Sequence, residues 1–250
     1  MPEFDHWLVT RFNVPFNSYP GRSTNSVWLE HRLSLFEKYC LPSVSCQSCQ
    51  EFRWLVLFDY QTPLGIMSKI LTQQRDFPFY PLLVGTDWIR ESASYLARIS
   101  RSGYLLTTRL DNDDAIHQDY MKVMQAGFRE RPFEFLEFPW GLKLEESRRK
   151  LYKLKYKSNP FLTLVERVTD NVKTVYCCNH RQAAKFGPIR QLKLKNAWLQ
   201  IVHLQNLMNR IQEGLTPVPL SRLVGNFPGL RVPEQMGSFA EGCDPVPDHP

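Results

Sequence analysis

Short apolar runs of strand length alternate with amphipathic stretches of helix length over the first 130 residues, and this alternation constrains the fold more than any other feature of the chain. Strand, helix, strand units of this kind close into a mostly parallel sheet. The strands are expected at 6–14, at 52–58 (FRWLVLF), at 79–84 and at 104–110 (YLLTTRL). Helices are expected between them: 26–40, where Val27, Leu29, Leu33, Leu35, Phe36 and Tyr39 recur at roughly helical spacing ahead of a stop near Pro42; 63–74, opened by a proline; 87–102; and 117–129. From Phe133 the pattern changes. FEFLEF and KLYKLKY alternate apolar with polar residues, 172–177 reads as a further strand, and 197–211 returns to helical spacing. The fold class expected is α/β: a mostly parallel central sheet flanked by helices, with a mixed or antiparallel C-terminal extension. Residues 1–214 form one unit, 1–130 and 131–214 being its halves. Residues 215–250, rich in proline, are expected to be loosely ordered, with 220–227 the part able to dock on the body.

Charge narrows the partners. The formal net charge is +6, and residues 215–250 are acidic, so the first 214 carry about +8, which suits an anionic partner such as phosphate. No run of eighteen apolar residues is present, and Met1 to His6 is too acidic and polar to open a signal peptide. The expectation is a cytoplasmic protein, with peripheral contact to the inner face of a membrane left open. Cys46 and Cys49 form a CxxC whose nearest partners, Cys177 and Cys178, are adjacent to each other and poorly placed to chelate one ion, so the cysteines read as reduced thiols.

The most informative motif is Asp111-Asn112-Asp113-Asp114, directly after the YLLTTRL strand. In open α/β sheets ligands bind beyond the carboxyl ends of strands. Carboxylates held this close repel unless a cation or strong donors neutralise them, and a hard divalent ion, Mn2+ or Mg2+, would do so while keeping positions open for phosphates; the other reading is a turn that caps the next helix. Asp59 ends the FRWLVLF strand, and Thr10, Arg11 and Asn13 stand where the first strand meets its loop. Three polar strand ends on one edge describe a crevice for a base, a ribose and a diphosphate. Arg98 and Arg109 could reach a phosphate; Arg109 and Asp111 share a strand face and could equally pair with each other. His203 and His180 are candidate ligands, and Glu166 or Asp114 a candidate general base. The basic stretches 143–157 and 181–195 read as solvated faces or as sites for an anionic acceptor or headgroup.

SVSCQSCQEFRWLVLFDYQTP (43–63) and ARISRSGYLLTTRLDNDDAI (97–116) resemble the nucleotide-sugar glycosyltransferases of GT-A type, inverting family two in particular, and TRFNV, WLEHRLSLFEKYCLPSV, WLVLFDYQTP, TTRLDNDDA and WLQIVH are similar to a bacterial rhamnosyltransferase family. The resemblance runs over about 7–210. It implies a GT-A-like, Rossmann-like fold and a hexosyltransferase that moves a sugar, rhamnose by the family's label, from a nucleotide-diphosphate donor to a hydroxyl on a glycan, a lipid-linked or a small-molecule acceptor. It further implies that Asp59 contacts the nucleoside, Thr10 and Asn13 the base and ribose, and Arg98 the phosphates, with Asn112 inside the DxD motif. Asp111 and Asp113 would flank a metal whose shell His203 completes. Leu204 and Gln205 stand where glycines would follow that histidine. The alternatives are metal-dependent phosphoryl or nucleotidyl transfer, a degenerate transferase, and a basic nucleic-acid-binding protein; with sugar transfer, no nucleic acid is expected.

Overall fold

The computed structural model describes residues 3–75, 77–203 and 210–230. The chain begins with β1 (Phe4–Arg11), and α1 (Ser26–Leu35) follows, its first turn capped by Asn25, whose side chain accepts the Trp28 N–H at 2.9 Å. Pro42 does not stop this helix. A π turn over Phe36–Cys40, closed by the Leu41 N–H on the Phe36 carbonyl, lets α2 (Leu41–Ser45) restart with Pro42 in its first turn, where no N–H is needed. Then come β2 (Arg53–Asp59), α3 (Leu64–Thr72), β3 (Tyr80–Val84), α4 (Trp88–Ile99), β4 (Tyr104–Asp111), the short β5 (Ala115–Ile116) and α5 (Tyr120–Ala126).

The second half is strand-rich: β6 (Phe133–Glu137), β7 (Trp140–Glu145), β8 (Lys150–Lys155), β9 (Thr163–Arg167), β10 (Ile189–Gln191) and β11 (Trp198–Val202), followed by β12 (Thr216–Val218) and α6 (Arg222–Asn226). One sheet has the order β10-β6-β9-β4-β1-β2-β3, with β9 antiparallel to both its neighbours and the other pairings parallel. The other has the order β12-β8-β7-β11-β5. The architecture is GT-A-like: a largely parallel sheet between helices, extended by a mixed one.

Alternation along the strands sorts the core. Leu8, Trp54, Val56, Phe58 and Leu106 meet Leu29, Leu33, Val44, Ile66 and Ile70 on one face of the first sheet. Trp7, Val9, Leu55, Leu57 and Leu105 meet Trp88 and Leu96 of α4 on the other. Both faces are covered, which is why these strands are near-continuous apolar runs. A third cluster joins Leu142, Leu144, Leu199 and Ile201 to Leu223 and Phe227.

Two expectations give way here. Residues 172–177 are irregular: Val172, Val175 and Tyr176 pack inward, but the backbone is held by Glu166 and Thr107 side chains rather than by a ladder. The helix expected over 197–211 is β11 in its described part, because WLQIV packs between β7 and β5; a short apolar run cannot be told from a buried helix by period alone. The part of that expectation on 204–209, like the tail beyond 230, lies outside the described residues. The start of the tail is docked: β12 pairs with β8, and Leu223 and Phe227 are buried. Among the described residues no helix is long and apolar enough to cross a membrane.

Candidate active site

A cavity of about 570 Å³ opens beyond the carboxyl ends of β1 and β4, where the two sheets meet. Strand ends supply Arg11, Phe12 and Asn13 from β1 and its loop, and Arg109, Asp111, Asn112 and Asp113 from β4 and its loop; α1 supplies Trp28 and Arg32; β7 and β11 supply Lys143 and Gln200. The volume lies in the range of small-molecule and cofactor sites.

The acidic motif is neutralised by arginines. Arg11 Nη2 donates to Asp111 Oδ1 at 2.8 Å and Arg109 Nη2 to Asp111 Oδ2 at 2.6 Å. Burial would raise the Asp111 carboxyl, but Arg109 and Arg11 outweigh it and hold the acid well below the usual range. The Arg11 guanidinium lies over the rings of Phe16, Trp88 and Tyr176 at 5.5, 5.6 and 5.1 Å, and the Tyr176 hydroxyl donates to the Val9 carbonyl at 3.2 Å. Arg32 reaches Asp113 Oδ2 at 2.9 Å with one nitrogen and Asn112 Oδ1 with another. His203 Nε2–H donates to the same Asp113 oxygen at 3.1 Å, and His31 Nε2–H donates to His203 Nδ1 at 3.3 Å. Burial opposes ionisation of Asp113, yet Arg32 and His203 keep its pKa below the ordinary value. Three buried N–H donors on cavity-lining residues, Arg11 Nε, Arg32 Nε and Trp28 Nε1, find no hydrogen-bond partner among the described residues. Buried donors are rarely left so.

Of the residues singled out from sequence, Arg11, Asn13, Arg109, Asp111, Asn112 and Asp113 line the cavity, with His203 against Asp113. Of the residues expected at the nucleoside and base, Thr10 and Asp59 do not line it. Thr10 is fully buried, its hydroxyl accepting the Trp54 indole N–H at 2.9 Å; it faces the core, because strand alternation turns it away from Arg11. Asp59 stands one layer back, accepting Ser23 Oγ at 2.6 Å and the Gln61 N–H at 2.8 Å, while Asn13 donates to the Ser23 carbonyl and to Thr62 Oγ1. Arg98 is exposed late on α4. Glu166 is buried and commits both oxygens to the Lys173 and Thr174 N–H groups at 2.8 and 2.9 Å, so it braces a loop and cannot face a substrate. Asp114 accepts the Ile201 N–H at 2.9 Å, and burial together with Asp113 and Asp111 pushes its carboxyl well above the usual range; it ties β11 to the acidic turn.

Sequence reasoning missed Arg32 and Trp28, and met Lys143 only as the first residue of the basic stretch 143–157. Arg32 precedes Leu33 in the apolar stripe of α1, and Lys143 interrupts the buried run of WGLKLE; a cation inside such patterns is the signal that could have found them. His180 also lines the cavity. Its Nδ1–H donates to the Ser158 carbonyl at 2.5 Å, and burial lowers its pKa to about 4, so at neutral pH the imidazole is uncharged with its other nitrogen an acceptor.

Both oxygens of Asp111 are engaged by arginines, and among the described residues no group of three His, Cys, Asp or Glu side chains gathers as a metal cage. Asp113 and His203 nevertheless form an oxygen and nitrogen pair at adjoining strand ends. Hard divalent ions at phosphate sites commonly take only one or two protein ligands and fill the rest with phosphates and water, so this pair fits such an ion. The CxxC does not join it: Cys46 and Cys49 are free thiols, as are Cys177 and Cys178.

A family model described as "Putative rhamnosyl transferase" matches residues 23–214. Among solved structures, S. aureus TarS 1–349 in complex with UDP is 11% identical at a TM-score of 0.47, over 80% of this chain and 61% of that one. A longer S. aureus TarS structure is 12% identical at 0.45, over 79% and 37%. The inositol-1-phosphate CTP transferase from T. maritima is 11% identical at 0.36, over 80% and 90%. The chain thus spans about three fifths of the TarS 1–349 structure. No curated protein matches.

Proposed function

The chain belongs to this rhamnosyl transferase family, and from that premise we propose that it takes a sugar from a nucleoside-diphosphate donor and joins it to an acceptor hydroxyl. The observation that carries the donor class is the cavity beyond the ends of β1 and β4, lined by Arg11, Arg22, Arg32 and Arg109. The diphosphate would lie against Arg11, Arg32 and Arg109, which need only rotate partly off Asp111 and Asp113 to share themselves with phosphate oxygens. As the bond to the sugar breaks, the departing diphosphate gains negative charge, and preorganised charged donors stabilise it more in the transition state than in the ground state. Asp113 and His203 would hold a divalent ion, Mn2+ or Mg2+, which when bound supplies Lewis-acid neutralisation of the same charge. Asp59 and Asn13 set the loop around Ser23 beside the nucleoside.

His180 is the base we assign, in place of Glu166 and Asp114, since it lines the cavity as a neutral imidazole whose second nitrogen keeps a lone pair to accept with. The acceptor's proton would pass to that nitrogen as the new bond forms, and since burial makes the imidazole a weak base, the transfer would come late, when the acceptor oxygen is already bonding to the sugar and its proton has become acidic. Rhamnose is the sugar to test first, on the family's description.

The test is a thermal-shift series with UDP, GDP and dTDP and their sugars, with and without manganese. At least one nucleoside diphosphate should raise the melting temperature, the matching nucleoside should not, and Arg32→Gln should remove most of the shift. Absence of any nucleotide shift, with tight binding to single-stranded nucleic acid instead, would overturn the reading.

A further inference from the structure

The basic side chains of the cavity fall into two groups. Arg11 and Arg109 pair with Asp111, and Arg32 pairs with Asp113. Lys143, Arg181 and Arg210 line the same cavity, and no carboxylate among the described residues lies within ion-pair distance of any of them.

Lys143 is the telling member. It is only 2% exposed, and its ammonium donates to the Arg210 carbonyl at 3.1 Å and to Gln212 Oε1 at 2.8 Å, both neutral acceptors, which leaves one of its three N–H groups over. A buried ammonium whose hydrogen-bond acceptors are neutral is costly, and burial pulls the Lys143 pKa down against the opposing charge of Asp114. Arg181 follows His180 in the short 3-10 turn His180–Lys185 and donates Nε–H to the Tyr156 hydroxyl at 3.4 Å. The cation and the base assigned above are therefore neighbours in the chain and on the wall. A donor diphosphate held by Arg11, Arg32 and Arg109 would leave Lys143, Arg181 and Arg210 without a counter-charge in ion-pair reach.

We propose that the acceptor is anionic, carrying a phosphate or carboxylate group that docks on Lys143 and Arg181 while its hydroxyl faces His180. This rests on the sugar-transfer reading and specifies the acceptor class for it. It also gives the lysine in β7 a charged partner within hydrogen-bond reach, where the described acceptors are neutral.

The experiment is calorimetry on the full chain, first alone and then saturated with the nucleoside diphosphate that gives the largest thermal shift. Glucose 1-phosphate, glucuronate, methyl glucoside and inorganic phosphate are the probes. The two charged sugars should bind at least about tenfold more tightly than methyl glucoside, the scale of one charge-assisted hydrogen bond. Comparing them with each other and with inorganic phosphate separates phosphate from carboxylate recognition, and Arg181→Gln should erase the preference while Arg181→Lys keeps most of it. Nucleotide affinity should stay within about twofold in both variants, since Arg181 lies in the second group. Lys143→Met should act in the same direction, but because Lys143 is buried the deciding variant is that of the exposed Arg181. Equal binding of charged and neutral sugars, or loss of nucleotide rather than sugar binding in Arg181→Gln, overturns the proposal. A protein that binds charged sugars through Arg181 but no nucleotide would overturn the donor reading alone.

Discussion

At the scale of single residues, the acidic motif is held in place by partners that are distant in sequence. Asp111 is held by Arg11, 100 residues away, and Asp113 by Arg32, 81 away. Removing one member of such a set leaves the others buried and uncompensated. Asp111→Asn should therefore destabilise the fold by about 3 kcal/mol in urea unfolding, whereas exposed ion pairs such as Lys69 with Glu30 should contribute less than about 1 kcal/mol. Asp113→Asn should abolish any manganese-dependent part of a nucleotide's thermal shift. A second buried group reports on pH. His6 is 3% exposed, shares a hydrogen bond with Thr108 Oγ1 at 2.8 Å and another with Gln125 at 3.2 Å, and burial lowers its pKa to about 3. Between the unfolded value near 6.5 and that folded value the unfolded chain binds the extra proton, so stability is complete above about pH 6.5 and falls by about 1.4 kcal/mol per unit as the pH drops toward 3. Stability against pH measured for His6→Gln should be flatter between about pH 4 and 6.5 than for the parent; equal slopes would mean that His6 titrates normally.

At the scale of elements, the parallel half was legible because each strand is buried on both faces and so stands out as a run such as FRWLVLF. The second half was harder to read, since WLQIV and the 172–177 segment carry apolar residues whose period is settled by what they pack against. The site was legible in its carboxylates and in Arg11, Asn13 and Arg109, which sit at strand ends. It was illegible in Arg32, and in Lys143 the buried role could not be told from a solvated face, because a cation on a helix or strand looks solvated until the partner element is in place. The packing of β7 on β11 is a case in point. A Cβ added at Gly141 would lie 2.1 Å from the Trp198 ring, which is fully buried and stacked on Phe161 at 5.0 Å between centroids. Gly141→Ala should cost about 3 kcal/mol in urea unfolding, by overpacking rather than by conformational strain. The docked start of the tail should matter in the same way. Phe227 is 1% exposed in the cluster with Leu142, Leu199 and Leu223, so Phe227→Ala should cost about 3 kcal/mol by the same measurement, even though the family match ends at residue 214.

At the scale of the whole molecule, two sheets that each bury their own apolar faces meet through a polar seam, and the cavity is that seam. Asp114, reaching from the turn after β4 to the Ile201 N–H, fastens one sheet to the other, while β5 carries the acidic turn straight into the second sheet. Cations from both sheets face the opening, seven of them against two carboxylates, on a chain whose formal charge is only +6. The excess is therefore concentrated at the seam rather than spread over the surface, and its field is the sum of several partly solvated charges. Such a field is screened by salt: the Debye length shrinks from about 10 Å at 0.1 M to about 3 Å at 1 M. A nucleoside diphosphate should lose roughly tenfold in affinity across that range, while the uncharged nucleoside, held by contacts that salt leaves alone, should change by less than about twofold. Calorimetry of the two ligands at both salt concentrations checks this. Parallel curves would mean that the guanidiniums stay committed to Asp111 and Asp113 and never reach the phosphates.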